Sequence, residues 1–490
     1  MSTLLNAIES EMQWGTTDNG ADCKVTTGNC CLDLFGRAGA MREASVFEKS
    51  QLFLKAYQEN PDMAMKLLFY IRDAREGYGE RDTFNQMFAY LASVNKESVV
   101  KNLWAVIEYG RAKDFYSLIG TNAEQEMWQF MQEQFELDYE NMKCGRSISL
   151  LAKWIATPDS KSEKTSQLGK LTAKKLGYSY KTMREYKTKL RELRKYLDIP
   201  EAKMCAGNWE AIEYSKCGAK FMLKNREAIK KHDGKRYVKY LADVKNGKQK
   251  INMQTNTPYD IVHQAIHKNS ADDIEVMWAN LPDKCKGNAL VMCDTSGSMY
   301  GGKSVVPMEV AIALTLYLSE RNKGCLKNVF MTFEEQPKFM KVYGSNLAQK
   351  YMNVSHASWA GSTDLEAAFD LLLKTCITHN VAIEDMPDAI VVVSDMQINK
   401  VGVGEDNRLT FYDIMSKRYA EHGYKMPHLV FWNVNAKNPT FHASMSDSAA
   451  SVVSGYSANI YSQVMNSIGV SPYELMLKVV NDPRYAEIRA

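Results

Sequence analysis

The sequence predicts a multidomain protein in which an all-α, HEAT-like solenoid is followed by a doubly wound, Rossmann-like α/β domain. Two observations support this prediction. Apolar residues recur at the helical period from about residue 45 to beyond residue 240. After about residue 285, short apolar segments rich in β-forming residues alternate with amphipathic helical segments, a pattern typical of a buried parallel sheet covered by helices.

Length and pattern together suggest where the domains lie. A chain of 490 residues is too long for one hydrophobic core. We expect an irregular N-terminal segment at 1–44 that packs on the other parts, a helical domain at 45–284 and an α/β domain at 285–490. The first part is predicted to be irregular because Gly, Asn and Asp interrupt it.

The helical domain is predicted from amphipathic segments joined by short connections. Phe53, Ala56 and Tyr57 show the spacing that places side chains on one helix face. Paired helices repeat at roughly 40 residues, which is typical of HEAT-type repeats. We therefore expect helix pairs stacked side by side.

Segment 161–250 of this domain is strongly basic. It contains 25 Lys and Arg against 10 Asp and Glu, an excess of 15 positive charges. Such an excess favours a polyanionic partner, although a lysine-rich helical surface in contact with water has the same composition. Tyr237 and Tyr240 lie among these cations, where they fit either base stacking or a tyrosine core face.

The α/β domain is predicted from four apolar segments that resemble strands: "NALVMCD", "NVFMTFEE", "DAIVVVSDM" and "HLVFWNVN". In an open parallel sheet, ligands bind beyond the carboxyl ends of the strands. Asp294, Ser296 and Ser298 follow the first segment, Asp395 ends the third, and Thr363 starts a helical segment. Two carboxylates and three hydroxyls at one edge predict an oxygen-ligand site for a divalent cation, Mg²⁺ before Mn²⁺ or Ca²⁺.

A competing pattern overlaps this cation site. Gly297, Gly302, Lys303 and Ser304 match the phosphate-binding loop G-x4-G-K-[ST]. That loop needs a helix that opens at the Lys-Ser pair. Pro307 predicts a later helix start, because proline is favoured at the first helical position. We therefore favour the cation site and expect no bound nucleotide.

The cation-site residues carry a family resemblance. Asp294-x-Ser296-x-Ser298, Thr363 in "GSTDL" and Asp395 in "SDMQ" resemble the metal-ion-dependent adhesion site (MIDAS) of a von Willebrand factor type A domain. The resemblance implies that the ion also takes an Asp or Glu carboxylate from a protein partner. It implies a binding module and not an enzyme.

A second motif extends the resemblance to the helical domain. The segment "RDAREGYGER", from Arg72 to Arg81, resembles the signature of TROVE modules in Ro-type RNA-binding proteins, and the order of parts resembles a family of uncharacterised Ro-like proteins. The resemblance implies a helical ring that binds small non-coding or single-stranded RNA in a ribonucleoprotein. By this analogy the RNA-binding residues are Arg75, Arg81, Arg111, Lys113, Arg146, Lys153 and Lys161. Arg72 and Asp73 are instead expected to lock two helices through buried ion pairs.

Other sequence features bear on the class of protein. The N-terminus lacks the basic start and apolar core of a secretory signal, and the longest apolar run is too short to span a bilayer. The cysteines form no C-x-x-C pair, which predicts reduced thiols, no zinc site and a cytoplasmic location. The histidines match no catalytic motif. We therefore expect a non-catalytic RNA-binding scaffold, with a protein-interaction adaptor as the alternative.

Overall fold

The computed structural model describes residues 14–17, 22–268, 272–302, 305–333, 336–357, 364–397, 411–435 and 441–490. The strands are β1 (Trp14–Thr16), β2 (Asp22–Lys24), β3 (Ala289–Asp294), β4 (Val329–Phe333), β5 (Phe339–Lys341), β6 (Ala389–Ser394), β7 (His428–Asn433) and β8 (Ala450–Ser454). The α-helices are α1 (Cys30–Ala38), α2 (Val46–Glu59), α3 (Pro61–Arg72), α4 (Arg81–Val94), α5 (Lys96–Lys101), α6 (Leu103–Tyr109), α7 (Glu124–Lys143), α8 (Leu151–Trp154), α9 (Glu163–Lys175), α10 (Met183–Tyr196), α11 (Pro200–Cys205), α12 (Ala219–Lys245), α13 (Pro258–His267), α14 (Asp272–Ala279), α15 (Pro307–Arg321), α16 (Leu347–Ser355), α17 (Leu365–His379), α18 (Phe411–Glu421), α19 (Tyr461–Met465) and α20 (Pro472–Val480).

The chain divides into two units. The sheet unit comprises Met1–Met63, Glu76–Tyr78 and Asn256–Arg484, and the helical unit comprises Ala64–Arg75, Gly79–Thr255 and Tyr485–Ala490. None of the described helices combines the length and the apolar composition that a bilayer-spanning helix needs.

This division differs from the predicted boundaries at 44 and 284. Segment 1–44 is not irregular throughout, because α1 forms with the Asn29 side chain as its N-cap and packs against β8. Helix α13 packs against α15, which makes it part of the sheet unit rather than of the helical domain. These contacts join residues far apart in the chain, so local patterns do not reveal them.

The sheet unit contains a six-stranded sheet in the order β5-β4-β3-β6-β7-β8. All pairs are parallel except β4 with β5, which is antiparallel and forms one edge. The four predicted strand segments are confirmed as β3, β4, β6 and β7. Because the chain runs from β3 outward to β4 and returns on the other side with β6, the strand order reverses between β3 and β6. Open sheets of this type bind ligands at that point.

Helices cover both faces of the sheet. Alternate residues of the central strands, including Leu290, Met292 and Ile390, pack in one core cluster with Phe369 of α17 and Met415 of α18. Helix α15 packs on β3 and β6 without contributing to this cluster, so it covers the opposite face. The α/β, doubly wound architecture is therefore as the alternation of strands and helices predicted.

The helical unit is built on an aromatic and aliphatic core. The ring of Phe69 on α3 lies 5.4 Å from that of Phe84 on α4 and 5.8 Å from that of Tyr109 on α6. Basic segment 161–250 folds mainly as α9 to α12, and both Tyr237 and Tyr240 are buried. The core interpretation of these tyrosines thus holds, and base stacking by their rings is excluded. The HEAT-type pairing of helices stays a prediction.

Candidate functional site

The carboxyl edge of the sheet forms the first candidate site. Strands β3 and β6 pair in parallel, with Cys293 opposite Val393. Asp294 is the last residue of β3, and Asp395 directly follows β6. Both residues are buried, Asp294 completely. The strand pairing therefore brings two distant carboxylates to the same end of the sheet.

The loop after β3 supplies the two serines of the predicted cation site. The amide N–H of Ser296 donates to Oδ1 of Asp294 at 2.8 Å, and the hydroxyl oxygens of Ser296 and Ser298 lie 3.0 Å apart. The hydroxyl of Ser394 donates to Oδ2 of Asp294. The remaining predicted ligand, Thr363, lies outside the described residues.

The electrostatics of this edge favour a cation. Burial, and then the negative charge of Asp395, raise the pKa of Asp294 to about 6. A divalent cation would relieve the repulsion between two such carboxylates. Carboxylate and hydroxyl oxygens are ligands that Mg²⁺ accepts. Asp294, Ser296, Ser298 and Asp395 therefore fit such an ion.

The helix that follows the competing phosphate-loop pattern starts later than such a loop requires. Helix α15 begins at Pro307, which is the first helical residue as predicted. Lys303 and Ser304 lie outside the described residues. A phosphate-binding loop would require the helix to begin at those two residues.

The second candidate site lies in the helical unit and centres on the carboxylate of Asp114, which is fully buried. Its Oδ2 accepts from Nε of Arg72 at 2.8 Å, and its Oδ1 accepts from Nε of Arg81 at 2.7 Å. The backbone N–H of Arg111 also donates to Oδ2 at 2.9 Å. Asp114 thereby ties both ends of the "RDAREGYGER" motif to the segment that follows α6.

Asp73 of the same motif is held by hydrogen bonds from other parts of the helical unit. Its Oδ1 accepts from the backbone N–H of Arg75 at 2.9 Å, and its Oδ2 accepts from the hydroxyl of Tyr485 at 3.1 Å. Arg72 and Asp73 are both buried. They therefore occupy positions that suit the expected role of locking elements together, although Arg72 pairs with Asp114 rather than within the motif.

A group of cations surrounds Lys113. We call it the Lys113 cluster, and its members are Arg81, Arg111, Lys113, Arg194 and Lys224. Desolvation by neighbouring protein atoms, and then the positive charges of the other four, lower the pKa of Lys113, whose side chain is nevertheless exposed. Among the described residues, the ion pairs of this cluster lead to Asp114 alone, and Asp114 is shared with Arg72. The cluster therefore carries excess positive charge.

Two members of the cluster are held by uncharged groups. The guanidinium of Arg111 lies 4.6 Å from the centre of the Trp154 ring. Arg194 donates from Nε to the carbonyl of Ala152 at 2.8 Å and from Nη2 to that of Ile155 at 3.1 Å. These contacts fix the two side chains without neutralising their charge.

The other predicted RNA-binding residues have varied positions. Lys153 lies beside the cluster, because its ammonium is 5.1 Å from the Trp154 ring that also contacts Arg111. Arg75 is half exposed and pairs with Glu108 at 3.7 Å. Arg146 and Lys161 are exposed. Only Arg81, Arg111, Lys113 and Lys153 of the seven predicted residues are thus brought together by the described contacts.

Arg194 and Lys224 were not among the predicted RNA-binding residues. Both belong to basic segment 161–250, so the charge count pointed to their region. Their proximity to Lys113 depends on the packing of α10 and α12 in the helical unit, which the sequence pattern does not specify.

Comparison with known proteins assigns a family. The family model described as a domain of unknown function, DUF2828, matches residues 17–143 and 129–286, which together make up more than half of the chain. This chain belongs to the DUF2828 family. A second domain of unknown function, DUF7788, matches residues 288–483 of this DUF2828 protein, the part that contains the sheet.

Two individual proteins are similar to this DUF2828 chain. Uncharacterized protein L728 of Acanthamoeba polyphaga mimivirus is 27% identical over 506 residues, covering 95% of this chain and 86% of the relative. The crystal structure of the Deinococcus radiodurans RO (RSR) protein matches with a TM-score of 0.45 at 14% identity, covering 91% of this chain and 99% of that one. A likeness at that TM-score supports no assignment of fold or function. The TROVE and von Willebrand type A assignments therefore stay predictions.

Proposed function

We propose that this DUF2828 protein is a non-catalytic, cytoplasmic RNA-binding scaffold of Ro type, whose helical unit binds the phosphates of small non-coding or single-stranded RNA. The Lys113 cluster carries this proposal. Its five cations come from four separate segments of the chain, and Asp114 is the one carboxylate in ion-pair contact with them among the described residues. A polyanion supplies the negative charge that the protein itself does not.

The cluster is better suited to the repeated phosphates of a nucleic-acid backbone than to a single small anion. Neighbouring cations that repel one another gain most from a ligand with repeated negative charges, and binding to nucleic acid also releases condensed counterions. Because Arg111 and Arg194 are already fixed by Trp154 and by backbone carbonyls, less side-chain freedom is lost on binding. Lys113 and Lys224 are exposed, so phosphate can reach them.

Substitution of the two exposed lysines tests the proposal. We expect the Lys113→Ala, Lys224→Ala double variant to bind fluorescent single-stranded RNA about 10-fold or more weakly at low salt. The dependence of log Kd on log salt should also become less steep, by roughly 1.4 for two lost phosphate contacts on a single strand. Fluorescence anisotropy measures both quantities.

A charge-matched control separates the cluster from general basicity. Lys374 and Lys417 are exposed lysines on α17 and α18 of the sheet unit. Their double alanine variant loses the same net charge and should keep wild-type affinity. Equal weakening in both double variants, or no RNA affinity of the wild type at low salt, would contradict the proposed role of the cluster.

A second candidate function rests on the sheet edge. Asp294, Ser296 and Ser298, together with Asp395, fit a divalent cation, most simply Mg²⁺, and resemble the MIDAS of a type A domain. We propose that such an ion would leave a position for an Asp or Glu of a protein partner, as in an adaptor. The Asp294→Ala variant distinguishes the two functions, because it should lose Mg²⁺ binding and keep RNA affinity.

A further inference from the structure

Three potential metal ligands converge in the sheet unit, and none of them is a predicted ligand of the oxygen site at Asp294. His263 and His267 lie one turn apart on α13, and Glu309 lies in the first turn of α15. Nδ1 of His263 is 2.9 Å from Oε2 of Glu309, and Nε2 of His267 is 2.8 Å from Oε1. One ligand atom from each residue lies within 4.8 Å of the other two.

The nearly buried negative charge of Glu309 distinguishes this group from an ordinary pair of hydrogen bonds. Its side chain is only 8% exposed, and its ion-pair partners among the described residues are the two histidines. A carboxylate that is nearly buried needs a cation nearby. A metal ion held by all three side chains would supply that positive charge.

The types and spacing of the three residues select a class of metal. Histidines at positions i and i+4 of one helix present both rings on the same face, which is the arrangement that helical zinc sites use. Two imidazoles and one carboxylate suit Zn²⁺ and similar transition metals, whereas Mg²⁺ prefers oxygen ligands alone. This ligand set therefore differs in chemistry from the oxygen site at Asp294.

The distances allow a metal after a small adjustment. Zinc binds imidazole nitrogen and carboxylate oxygen at about 2.0–2.2 Å, so ligand atoms in a tetrahedral site lie about 3.3 Å apart. The three ligand atoms lie within 4.8 Å of one another, so bringing them to that spacing requires shifts of up to about 1.5 Å. Both rings are partly exposed, so side-chain rotation can provide this movement.

The surrounding elements hold the ligands in place. Helix α13 begins with Pro258 and a capping box between Thr257 and Asp260, and it packs directly against α15. The ring of Tyr259 lies 5.4 Å from that of His263. The backbone positions of the three ligands are therefore set by packing and do not depend on the metal.

We propose that His263, His267 and Glu309 form a binding site for a divalent transition metal of the Zn²⁺ class, with three protein ligands and an open fourth position. The fourth position faces solvent, because the side chains of His263 and His267 are 40% and 50% exposed. It is available to water or to a ligand atom of another molecule. This site is independent of the proposed RNA-binding surface.

Metal titration of the full chain tests the site. The probe is Zn²⁺, titrated into metal-free protein against a chromophoric chelator, with Co²⁺ absorption spectra as a second readout of tetrahedral ligation. We expect one high-affinity equivalent of Zn²⁺ in the wild type that excess Mg²⁺ does not displace. The variants His263→Ala and His267→Ala should each raise the Kd for Zn²⁺ at least about 10-fold.

Two controls keep the result specific. His422→Ala removes an exposed histidine just after α18 and should leave the Kd for Zn²⁺ unchanged. Asp294→Ala should also leave it unchanged, because Asp294 is not one of the three ligands. The site is refuted if the wild type binds no Zn²⁺, if the His263 and His267 variants bind it as tightly as the wild type, or if Asp294→Ala removes it. Thermal unfolding of each variant without metal verifies that the fold is retained.

Discussion

Asp114 organises the Lys113 cluster, although it was not predicted as a functional residue. It is fully buried and carries three of the contacts that position Arg72, Arg81 and the backbone of Arg111. Arg72 is itself buried, so removal of the carboxylate would leave its guanidinium charge uncompensated. A buried charge without a partner is among the costliest defects that a protein can contain.

We therefore expect Asp114→Asn to lower the free energy of unfolding of the helical unit by about 3–5 kcal/mol. Glu108→Gln is the matched control, because it removes a carboxylate from a half-exposed pair with Arg75. That control should cost less than about 1 kcal/mol. Urea unfolding followed by circular dichroism measures both effects. Similar losses in the two variants would show that Asp114 does not hold the buried arginine.

Asp294 gives the oxygen site a specific dependence on pH. Its pKa is raised to about 6 by burial and by Asp395, and the protonated carboxyl is a poor metal ligand. Mg²⁺ binding should therefore be strongest above about pH 6 and weaken by up to about 10-fold for each pH unit below it. Isothermal titration calorimetry at several pH values measures this trend. Persistent Mg²⁺ binding by Asp294→Ala would contradict the assignment of the ligands.

Individual site residues differed in how far the sequence could predict them. Asp294 and Asp395 were predictable, because parallel strands end at the same edge and each residue directly follows a strongly apolar strand. Asp114 and the pair His263 and His267 were not. Their partners lie more than 30 residues away, and only helix packing brings them together. The lack of paired cysteines led us to expect no zinc site, although such pairs are a signal of thiolate sites alone.

The secondary-structure elements followed local signals well where those signals were strong. Helix α15 begins at Pro307, and the four long apolar segments became strands. Strands β5 and β8 were not predicted, since β5 has only three residues and β8 lies in a segment rich in serine. Helix α1 was missed because glycine and asparagine in its neighbourhood indicated turns, whereas Asn29 acts as an N-cap.

The pair of strands β7 and β8 is stabilised by a neutral histidine. Nε2 of His428 lies 2.8 Å from the hydroxyl of Ser451, and the N–H of Gly469 donates to Nδ1 at 3.5 Å. Burial, and then the charge of Lys425, lower the pKa of His428 to about 4. The unfolded chain takes up a proton at about pH 6.5, and the folded chain does so only near pH 4.

The sheet unit should therefore lose stability as pH falls from about 6.5 towards 4, by about 2–3 kcal/mol from this residue. His428→Gln cannot titrate and should show a shallower fall of Tm between pH 7 and pH 4.5. His422→Gln, at an exposed position, serves as the control and should follow the wild type. Parallel curves for the wild type and His428→Gln would show that His428 does not contribute to the acid response.

At the scale of the molecule, the distribution of charge is more informative than its sum. The formal net charge is only +3, yet segment 161–250 alone carries an excess of 15 positive charges. Much of this charge lies on exposed faces of α9 to α12, as is typical of a lysine-rich surface in contact with water. What distinguishes the Lys113 cluster is the convergence of cations from this segment with cations from the earlier helices.

Local sequence patterns predicted the domain boundaries only in part. The change from helical to alternating character near residue 285 marks where the sheet begins, but α13 and α14 precede it and still belong to the sheet unit. Likewise Tyr485–Ala490 joins the helical unit, where Asn102 donates to the carbonyl of Arg489. The unit to which a segment belongs depends on contacts between residues that are far apart in the chain.

Ultraviolet cross-linking of bound RNA, followed by mass spectrometry of the linked peptides, tests the central claim most directly. The RNA is a small single-stranded or structured transcript bound at low salt to the full chain. We predict that cross-links concentrate on peptides that contain Arg111 to Lys113, Lys153 with Trp154, and Lys224. Cross-links confined to the sheet unit, or none from a complex shown to form, would contradict an RNA-binding role for the Lys113 cluster.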